Sequence, residues 1–258
     1  MNTNKYMKCF GKDYSKIYDF LYINKNYDKE TNLIKKILKK YLPKSKSLLD
    51  LGCGTGKYSN LMTKLKLDVV GVDRSSNMLN IAKKNYKKNK KLTFVKSSIQ
   101  NINLKRKFDI ISALFHIFSY NTSEREIDKF FSKSYSHLNK NGILIFDFWY
   151  ENGVFNLQFP LKVREVDNSS YKILRITHSK WFKKINQVFD IMNCIVLDKK
   201  SKKISKFKET HKMRYFNLKT IKKKLSKNKF QFLESLDLQA GKPVSSNSWG
   251  ALVVAKKI

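Results

Sequence analysis

Apolar positions along this chain follow two rhythms, and the change from one to the other divides it. Leu48 to Leu51 is a short apolar run that reads as a buried strand, and Lys57 to Lys64 after it reads as the start of a helix. Val69, Val70, Gly71 and Val72 form a second apolar strand ending in Asp73. Asn77 to Lys88 places Met78, Ile81, Ala82 and Tyr86 near one helical face. Leu92 to Val95 and Phe108 to Ala113 are the third and fourth strands, and Glu124 to Leu138 is a helix. That helix stops at Asn139-Lys140-Asn141-Gly142, where Gly142 is expected as a left-handed cap. Ile143 to Phe148 is a fifth strand, broken in polarity only by Asp147.

From about Tyr150 to Phe216 the helical period disappears. Short runs take its place: Leu161 to Val166, Tyr171 to His178, Gln187 to Leu197 and Ile204 to Phe216. Asp167-Asn168-Ser169-Ser170 and Asp198-Lys199-Lys200-Ser201 separate runs as hairpin turns do. Leu218 to Lys227 then reads as a helix, followed by strands Phe230 to Leu238 and Trp249 to Ala255. Together these patterns predict an α/β fold: a doubly wound, mostly parallel, seven-stranded Rossmann-like sheet with an inserted antiparallel β-meander. The expected division is 1–149 with 217–258 as the main domain and 150–216 as the insert.

The turn after the first strand carries the chemistry. Asp50-Leu51-Gly52-Cys53-Gly54-Thr55-Gly56 has glycines at alternate positions, which permit positive φ and let a flat ligand approach the backbone. Seventeen residues beyond Gly56, Asp73 stands where a βαβ unit hydrogen-bonds a ribose diol. Dinucleotide sites use G-x-G-x-x-G to bring a helix N-terminus to a pyrophosphate. This chain has D-x-G-x-G-x-G instead, with a carboxylate ahead of the first glycine.

That pattern resembles motif I of the class I S-adenosylmethionine-dependent methyltransferases. Further along, the chain is similar to the sugar N-methyltransferases that dimethylate amino groups of nucleotide-linked deoxysugars. Tyr18-Asp19-Phe20-Leu21-Tyr22 with Lys25-Asn26-Tyr27 resembles their opening, and Phe115 to Tyr120 stands where they have M-F-S-S-x-G-Y. Asp147-Phe148-Trp149 resembles E-P-W, Thr177-His178-Ser179 resembles S-H-S, and His211 falls in a match to D-V-H. Two places depart from the family: Ser97-Ser98-Ile99 replaces Gly-Asp-Met after the third strand, and the C-terminal glycine-rich segment is altered. The first departure leaves adenine to backbone groups, the Ser98 hydroxyl and apolar contacts. The second puts the identity of the substrate in doubt.

The resemblance implies S-adenosyl-L-methionine as cofactor, held by Tyr22, Asp50, Gly52, Cys53, Gly54, Thr55, Gly56, Asp73, Arg74, Met78, Ser98, Ile99 and Phe115. It implies an acceptor site formed by Tyr18, Tyr120, Trp149, Tyr150, His178 and His211, with no metal. His178 and His211 alternate with apolar neighbours and are expected to point into one cleft. The sulfonium is already an activated leaving group, so positioning the nucleophile supplies much of the acceleration. An alcohol acceptor needs a base, and an amine must be unprotonated. His116, just past the fourth strand, is the candidate, because its ordinary pKa suits neutral conditions. Two readings stand for it, proton acceptor or pocket lining. Two also stand for the acceptor: an amino group of a nucleotide-linked sugar, or a phosphoramidate or hydroxyl of a surface polysaccharide. His137, at a helix end, reads as structural.

Composition narrows the partners. The chain of 258 residues is 41% hydrophobic and 13% aromatic, which excludes disorder. No apolar run reaches membrane-spanning length and no signal segment opens the chain, so a cytoplasmic enzyme without a membrane partner is expected, as monomer or homodimer. Three scattered cysteines suit a reducing compartment, and Cys53 reads as a packing residue. The net charge of +34 raises nucleic acid as a partner. Only six of the 54 basic residues are arginine, however, and they are spread through every segment rather than gathered on one surface. An N-P-P-Y or D-P-P-Y segment of the kind that holds a base amine is also missing after the fourth strand. RNA methylation is therefore the less favoured alternative.

Overall fold

The computed structural model describes residues 9–156, 160–237 and 239–258. They fall into two compact units, one drawn from 26–156 with 215–237 and 239–258 and the other from 9–25 with 160–214.

The first unit is a seven-stranded sheet. Its strands are β1 (Ser47–Leu51), β2 (Asp68–Asp73), β3 (Leu92–Lys96), β4 (Phe108–Ala113), β5 (Leu138–Trp149), β10 (Phe230–Asp237) and β11 (Gly250–Lys257), in the order β10-β11-β5-β4-β1-β2-β3. Strands β1 to β5 pair in parallel, and β11 alone runs against its neighbours β5 and β10. The helices are α2 (Tyr27–Tyr41), α3 (Lys57–Thr63), α4 (Ser76–Asn85), α5 (Glu124–His137), α6 (Glu151–Asn156) and α7 (Leu218–Lys227). A parallel strand buried on both faces needs an unbroken apolar run. Accordingly Leu49, Leu51, Ile111, Leu144 and Phe146 join one core, and Leu48, Ile110, Ile143 and Ile145 join the other. From β1 the chain winds outward through β2 and β3, then returns to β4 on the opposite side. That reversal opens a crevice at the carboxyl ends of β1 and β4, where open α/β sheets bind ligands.

The doubly wound, seven-stranded arrangement is the one the sequence predicts. One local expectation fails: Gly142 does not take a left-handed conformation. Asn141 does, at φ 62°, and β5 begins before both residues. Gly142 is required for space instead, since a Cβ there would lie 2.9 Å from the Asp109 carbonyl oxygen and 3.0 Å from that of Asn139. The end of the strand expected at Leu238 lies outside the described residues.

The second unit is a four-stranded antiparallel sheet, β6 (Lys162–Asp167), β7 (Tyr171–Phe182), β8 (Gln187–Asp198) and β9 (Ile204–Arg214), with α1 (Lys12–Leu21) against one face. Hairpin loops join consecutive strands, as the turn residues imply. The insert boundary differs from the expectation, because the N-terminal helix belongs with this sheet and not with the main domain. The reason is chemical. Glu209 on β9 accepts hydrogen bonds from the backbone N–H groups of Phe10 and Gly11 at 2.8 and 2.9 Å. Arg164 on β6 donates to the Leu21 carbonyl at 2.7 Å, and Tyr14 donates to the Met192 sulfur at 3.6 Å. The buried face of α1, with Tyr14, Ile17, Tyr18 and Leu21, thus finds its core on the antiparallel sheet.

Candidate functional site

The glycine turn between β1 and α3 is drawn tight from below. Asp50, at the end of β1, is buried, and its carboxylate accepts from Ser59 Oγ on α3 at 2.5 Å and from Ser112 Oγ on β4 at 3.0 Å. One side chain thereby ties together the three elements around the crevice. Gly52, Gly54 and Gly56 all have positive φ, but their surroundings differ. A Cβ on Gly52 would meet Ile117 at 2.6 Å and one on Gly56 would meet Phe94 at 2.5 Å, whereas one on Gly54 would meet nothing within 4 Å. Two of these glycines therefore serve close packing, and only Gly54 faces open space. Cys53 is buried against Gly71, and burial pushes its thiol well above the usual range, which makes it a packing residue as expected.

Asp73 braces the same loop from the tip of β2. Its Oδ2 accepts from Gly54 N at 2.9 Å and its Oδ1 from Ser75 N at 2.7 Å. Burial raises its pKa above the ordinary carboxylate value, against the lowering effect of those N–H bonds. An ionised carboxylate can accept about four hydrogen bonds, so acceptor capacity remains for an incoming diol. Met78 is buried on α4, Arg74 is exposed beside Asp73, and Ser98 caps the short 3₁₀ turn Ile99–Asn101, where Ile99 packs on the core. Thr55 is buried within the turn. Open space over Gly54, a carboxylate at the rim and apolar residues beside it suit a nucleoside linked to a short amino-acid chain. The residues present fit S-adenosylmethionine.

Beyond β4 the backbone is forced. Phe115 and His116 are consecutive non-glycine residues at φ 64° and 62°, a conformation that costs energy and persists only where the surroundings impose it. Here Asp147, fully buried near the end of β5, accepts the His116 backbone N–H at 2.9 Å. The His116 ring turns back to the same carboxylate, with Nδ1 2.9 Å from Oδ2. That contact is outside hydrogen-bond alignment, and neither atom has another hydrogen-bond partner among the described residues. With Nδ1 against a carboxylate, Nε2 is the nitrogen left to exchange a proton, and the ring is 19% exposed. Gly250 on β11 makes room for it, since a Cβ there would lie 3.1 Å from His116 Cε1.

Asp147 is the residue that the sequence reading missed. Its signals were the resemblance of Asp147-Phe148-Trp149 to E-P-W and a carboxylate within an apolar run, where an unpaired charge is expensive and calls for a partner. Trp149, buried at the end of β5, packs at a tilt on Trp249 at 5.1 Å between ring centroids; Tyr150 packs on the core; Tyr120 closes the 3₁₀ turn Ile117–Tyr120. His137 is structural, as expected: its Nε2 accepts from Leu104 N at 2.9 Å, which leaves Nδ1 to donate to the Lys133 carbonyl at 2.8 Å.

The remaining expected residues belong to the second unit. Tyr22 lies 3.3 Å from Arg175 Nη1, with the guanidinium groups of Arg164 and Arg175 each 5.8 Å from its ring. Tyr18 packs on Tyr22 at 4.8 Å between centroids. His211 is buried between Phe10 and Tyr14, with Nε2 3.8 Å from Glu209. His178 does not share a cleft with it. His178 pairs across the sheet with Ile191, and His211 pairs with the next residue, Asp190, so the two histidines project from opposite faces.

Residues 48–142 match a family model described as methyltransferase domain. This segment is a methyltransferase domain. The cofactor of the domain's class is S-adenosylmethionine. The chain is 27% identical over 140 residues to the dTDP-3-amino-3,4,6-trideoxy-alpha-D-glucopyranose N,N-dimethyltransferase of Streptomyces venezuelae, covering 54% of this chain and 58% of that protein. It is 38% identical over 132 residues to a ubiquinone biosynthesis O-methyltransferase of Pelagibacter ubique, covering 50% and 53%. The chain thus spans little more than half the length of these two curated relatives. In fold it is similar to the sugar N-methyltransferase KedS8 of a Streptoalloteichus species, with a TM-score of 0.82 at 19% identity over 100% of this chain and 97% of that one. The methyltransferase domain match falls within the first unit, but the likeness in fold extends over the second as well.

Among the described residues no helix is long and apolar enough to cross a membrane.

Proposed function

We propose that this chain transfers a methyl group from S-adenosylmethionine to an amino group of a nucleotide-linked sugar. The observation that carries the first half is the glycine turn. Only Gly54 opens to free space, and the carboxylate that receives its N–H, Asp73, stands where a ribose diol would bind. Gly52, Gly56, Asp50 and Cys53 hold that turn in shape, Asp73 would receive the diol, and Ser98, Ile99 and Met78 would flank the adenine. When bound, the cofactor supplies an activated methyl group on sulfur. The chain's own task is then to orient the acceptor and take up its proton.

The proton falls to His116. Asp147 fixes its backbone and faces its Nδ1, so the imidazole can accept a proton at Nε2 and the resulting cation is stabilised by a buried carboxylate 2.9 Å away. The amino-sugar acceptor is supported by the resemblance of the opening tyrosine motif and by the likeness in fold to a sugar N-methyltransferase along the whole chain. Tyr120, Trp149 and Tyr150 are the acceptor-side residues of the first unit in this reading.

A second reading, transfer to a hydroxyl, is favoured by one specific observation. An alcohol requires a base, which the His116–Asp147 pair can provide, whereas an amine can shed its proton to water. Assaying purified enzyme with cofactor against a nucleotide-linked amino sugar and its hydroxyl counterpart, with mass detection of added methyl groups, tests both. Methylation of the amino compound alone supports the proposal, methylation of the hydroxyl compound alone supports the second reading, and neither product overturns both.

A further inference from the structure

The 3₁₀ turn Ile117–Tyr120, which follows His116, touches the cofactor loops at two points. At the glycine turn, the Ile117 side chain fills the space beside Gly52, where a Cβ would lie 2.6 Å from Ile117 Cδ1. At the adenine side, Gln100 Nε2 donates to Asn121 Oδ1 at 2.9 Å. Asn121 is 2% exposed, and its Nδ2 donates to the Phe118 carbonyl at 2.8 Å, as its backbone N–H does at 3.0 Å. Both ends of that amide are engaged, so its buried oxygen needs a donor from position 100. Gln100 belongs to the 3₁₀ turn Ile99–Asn101, which is anchored on the ribose side. There the Ser97 N–H donates to the Asp73 carbonyl at 3.1 Å, and the Asn101 N–H donates to the Ser98 carbonyl at 3.2 Å. Within the His116 turn, the Ser119 N–H donates to the His116 carbonyl at 3.0 Å, and the fully buried Ser119 Oγ accepts the Trp149 N–H at 2.9 Å. A line of contacts thus runs from Asp73 through Gln100 and Asn121 to His116.

We infer, on the proposed placement of adenine against Ser98 and Ile99, that Gln100 and Asn121 are positioning residues that pass occupancy of the cofactor site to the proton acceptor. Coupling between two sites requires an element with two arrangements that both sites bias. The consecutive left-handed residues Phe115 and His116 are that element, because such a pair keeps its conformation only where its surroundings impose it. Asp147 holds the pair from one side, and the Asn121 amide with Ile117 holds the turn from the other. A nucleoside seated on the turn Ile99–Asn101 steadies it, and Gln100 then keeps its amide on Asn121. The His116 backbone stays left-handed, with the ring against Asp147. With the cofactor site empty, the turn at 99–101 has less to hold it, and the pair relaxes more often. A ligand shifts such an equilibrium only through unequal contacts with the two arrangements. The inequality arises here because only the ordered turn presents the adenine surface and the Gln100 donor together. The proton acceptor is therefore set in place when a methyl donor is present.

Amide hydrogen exchange of the full chain, read over residues 115–121 with and without saturating S-adenosylmethionine and with no acceptor present, tests the coupling. In the wild type, exchange there should slow on binding by about 2- to 30-fold, the range for residues along a coupling path. Gln100→Leu keeps the bulk and loses the donor, so it should abolish most of that slowing. By reciprocity, cofactor affinity measured by isothermal titration should fall by about the same factor as the slowing that is lost. Turnover at saturating cofactor should fall as well, with KM for the acceptor little changed. Gln100→Lys, which retains a donor of similar reach, should restore slowing, affinity and turnover together. Ile117→Val, which withdraws Cδ1 from Gly52, should reduce the slowing in the same direction and serves as a second variant. A wild type that binds S-adenosylmethionine without slowed exchange at 115–121 overturns the inference and leaves the cofactor assignment intact. Slowing that Gln100→Leu retains in full also overturns it, since the ligand then shields the turn directly. A wild type that does not bind S-adenosylmethionine overturns the cofactor placement and the coupling with it.

Discussion

The two sheets of this protein use their faces in opposite ways. In the seven-stranded unit both faces are covered by helices, so all of the sheet's surface serves the core and chemistry is confined to the carboxyl ends of the strands. In the four-stranded unit a single helix covers one face among the described residues, and β8 and β9 alternate between buried and more open positions toward their C-terminal halves. The first sheet therefore offers polar groups to a ligand only where its strands stop, as at Asp73 and His116. The second can place residues anywhere along a strand. Variants in the first unit should accordingly alter ligand binding and rate, and variants in the second should alter stability.

The largest effect should follow from removing the imidazole. His116→Ala is expected to lower turnover by about 10²–10⁴-fold with cofactor affinity nearly intact. Asp147→Asn should give a smaller fall in turnover with little change in KM, since the ring stays in place and loses only the charge that faces Nδ1. If His116 only lines the pocket, both changes should cost less than about tenfold, and the pH profile should follow the acceptor.

Next comes the loop brace. Asp73→Ala removes the groups that receive the ribose diol, each charge-assisted bond being worth roughly 1.5–3 kcal/mol, or about 10- to 150-fold in affinity. Isothermal titration with S-adenosylmethionine measures it, and unchanged affinity would defeat the cofactor assignment. In the other unit, Glu209→Ala leaves two backbone N–H groups without their acceptor. It should cost roughly 1–3 kcal/mol of stability and raise amide exchange across α1 while leaving cofactor affinity alone. An equal loss of cofactor affinity would erase the contrast between the units.

The smallest effect is one of pH. Burial lifts Asp73 above its ordinary value near 3.8, so between that value and the raised one the folded chain holds more protons than the unfolded chain. This group's contribution to stability therefore falls as pH rises through that window. Cofactor affinity should move the other way, declining on acidification as the carboxylate that receives the diol takes up a proton. Titrations from neutral pH down toward 4, compared with Asp73→Asn, which should be flat over the same range, measure it.

Legibility in the sequence follows the same contrast. Continuous apolar runs and a glycine turn are local signals, so the parallel strands, their winding and the turn with Asp50 and Asp73 could be read from the chain. The antiparallel strands were legible too, through alternation and turn residues. Their ownership of α1 was not, because it depends on Glu209 reaching residues nearly two hundred positions earlier. Period-two alternation also separates His178 from His211, but only once β7 and β8 are in register. Asp147 was hidden for a related reason: a carboxylate in an apolar strand announces that it has a partner without naming it. Gly142 shows the converse, a glycine whose need was spatial where the local pattern suggested a turn.

The wall behind His116 has a consequence for how the protein is made. The imidazole rests against Gly250, and β11, which begins there, pairs with β5 so that Leu252 lies opposite Asp147. A growing polypeptide that has just completed α7 already contains the entire glycine turn, Asp73, His116 and Asp147. It lacks the strand that backs the ring and seals the edge of β5. On the ribosome, then, Asp73, His116 and Asp147 emerge before the strand that backs the His116 ring. The order of synthesis thus leaves the His116 ring without its Gly250 backing until β11 is made.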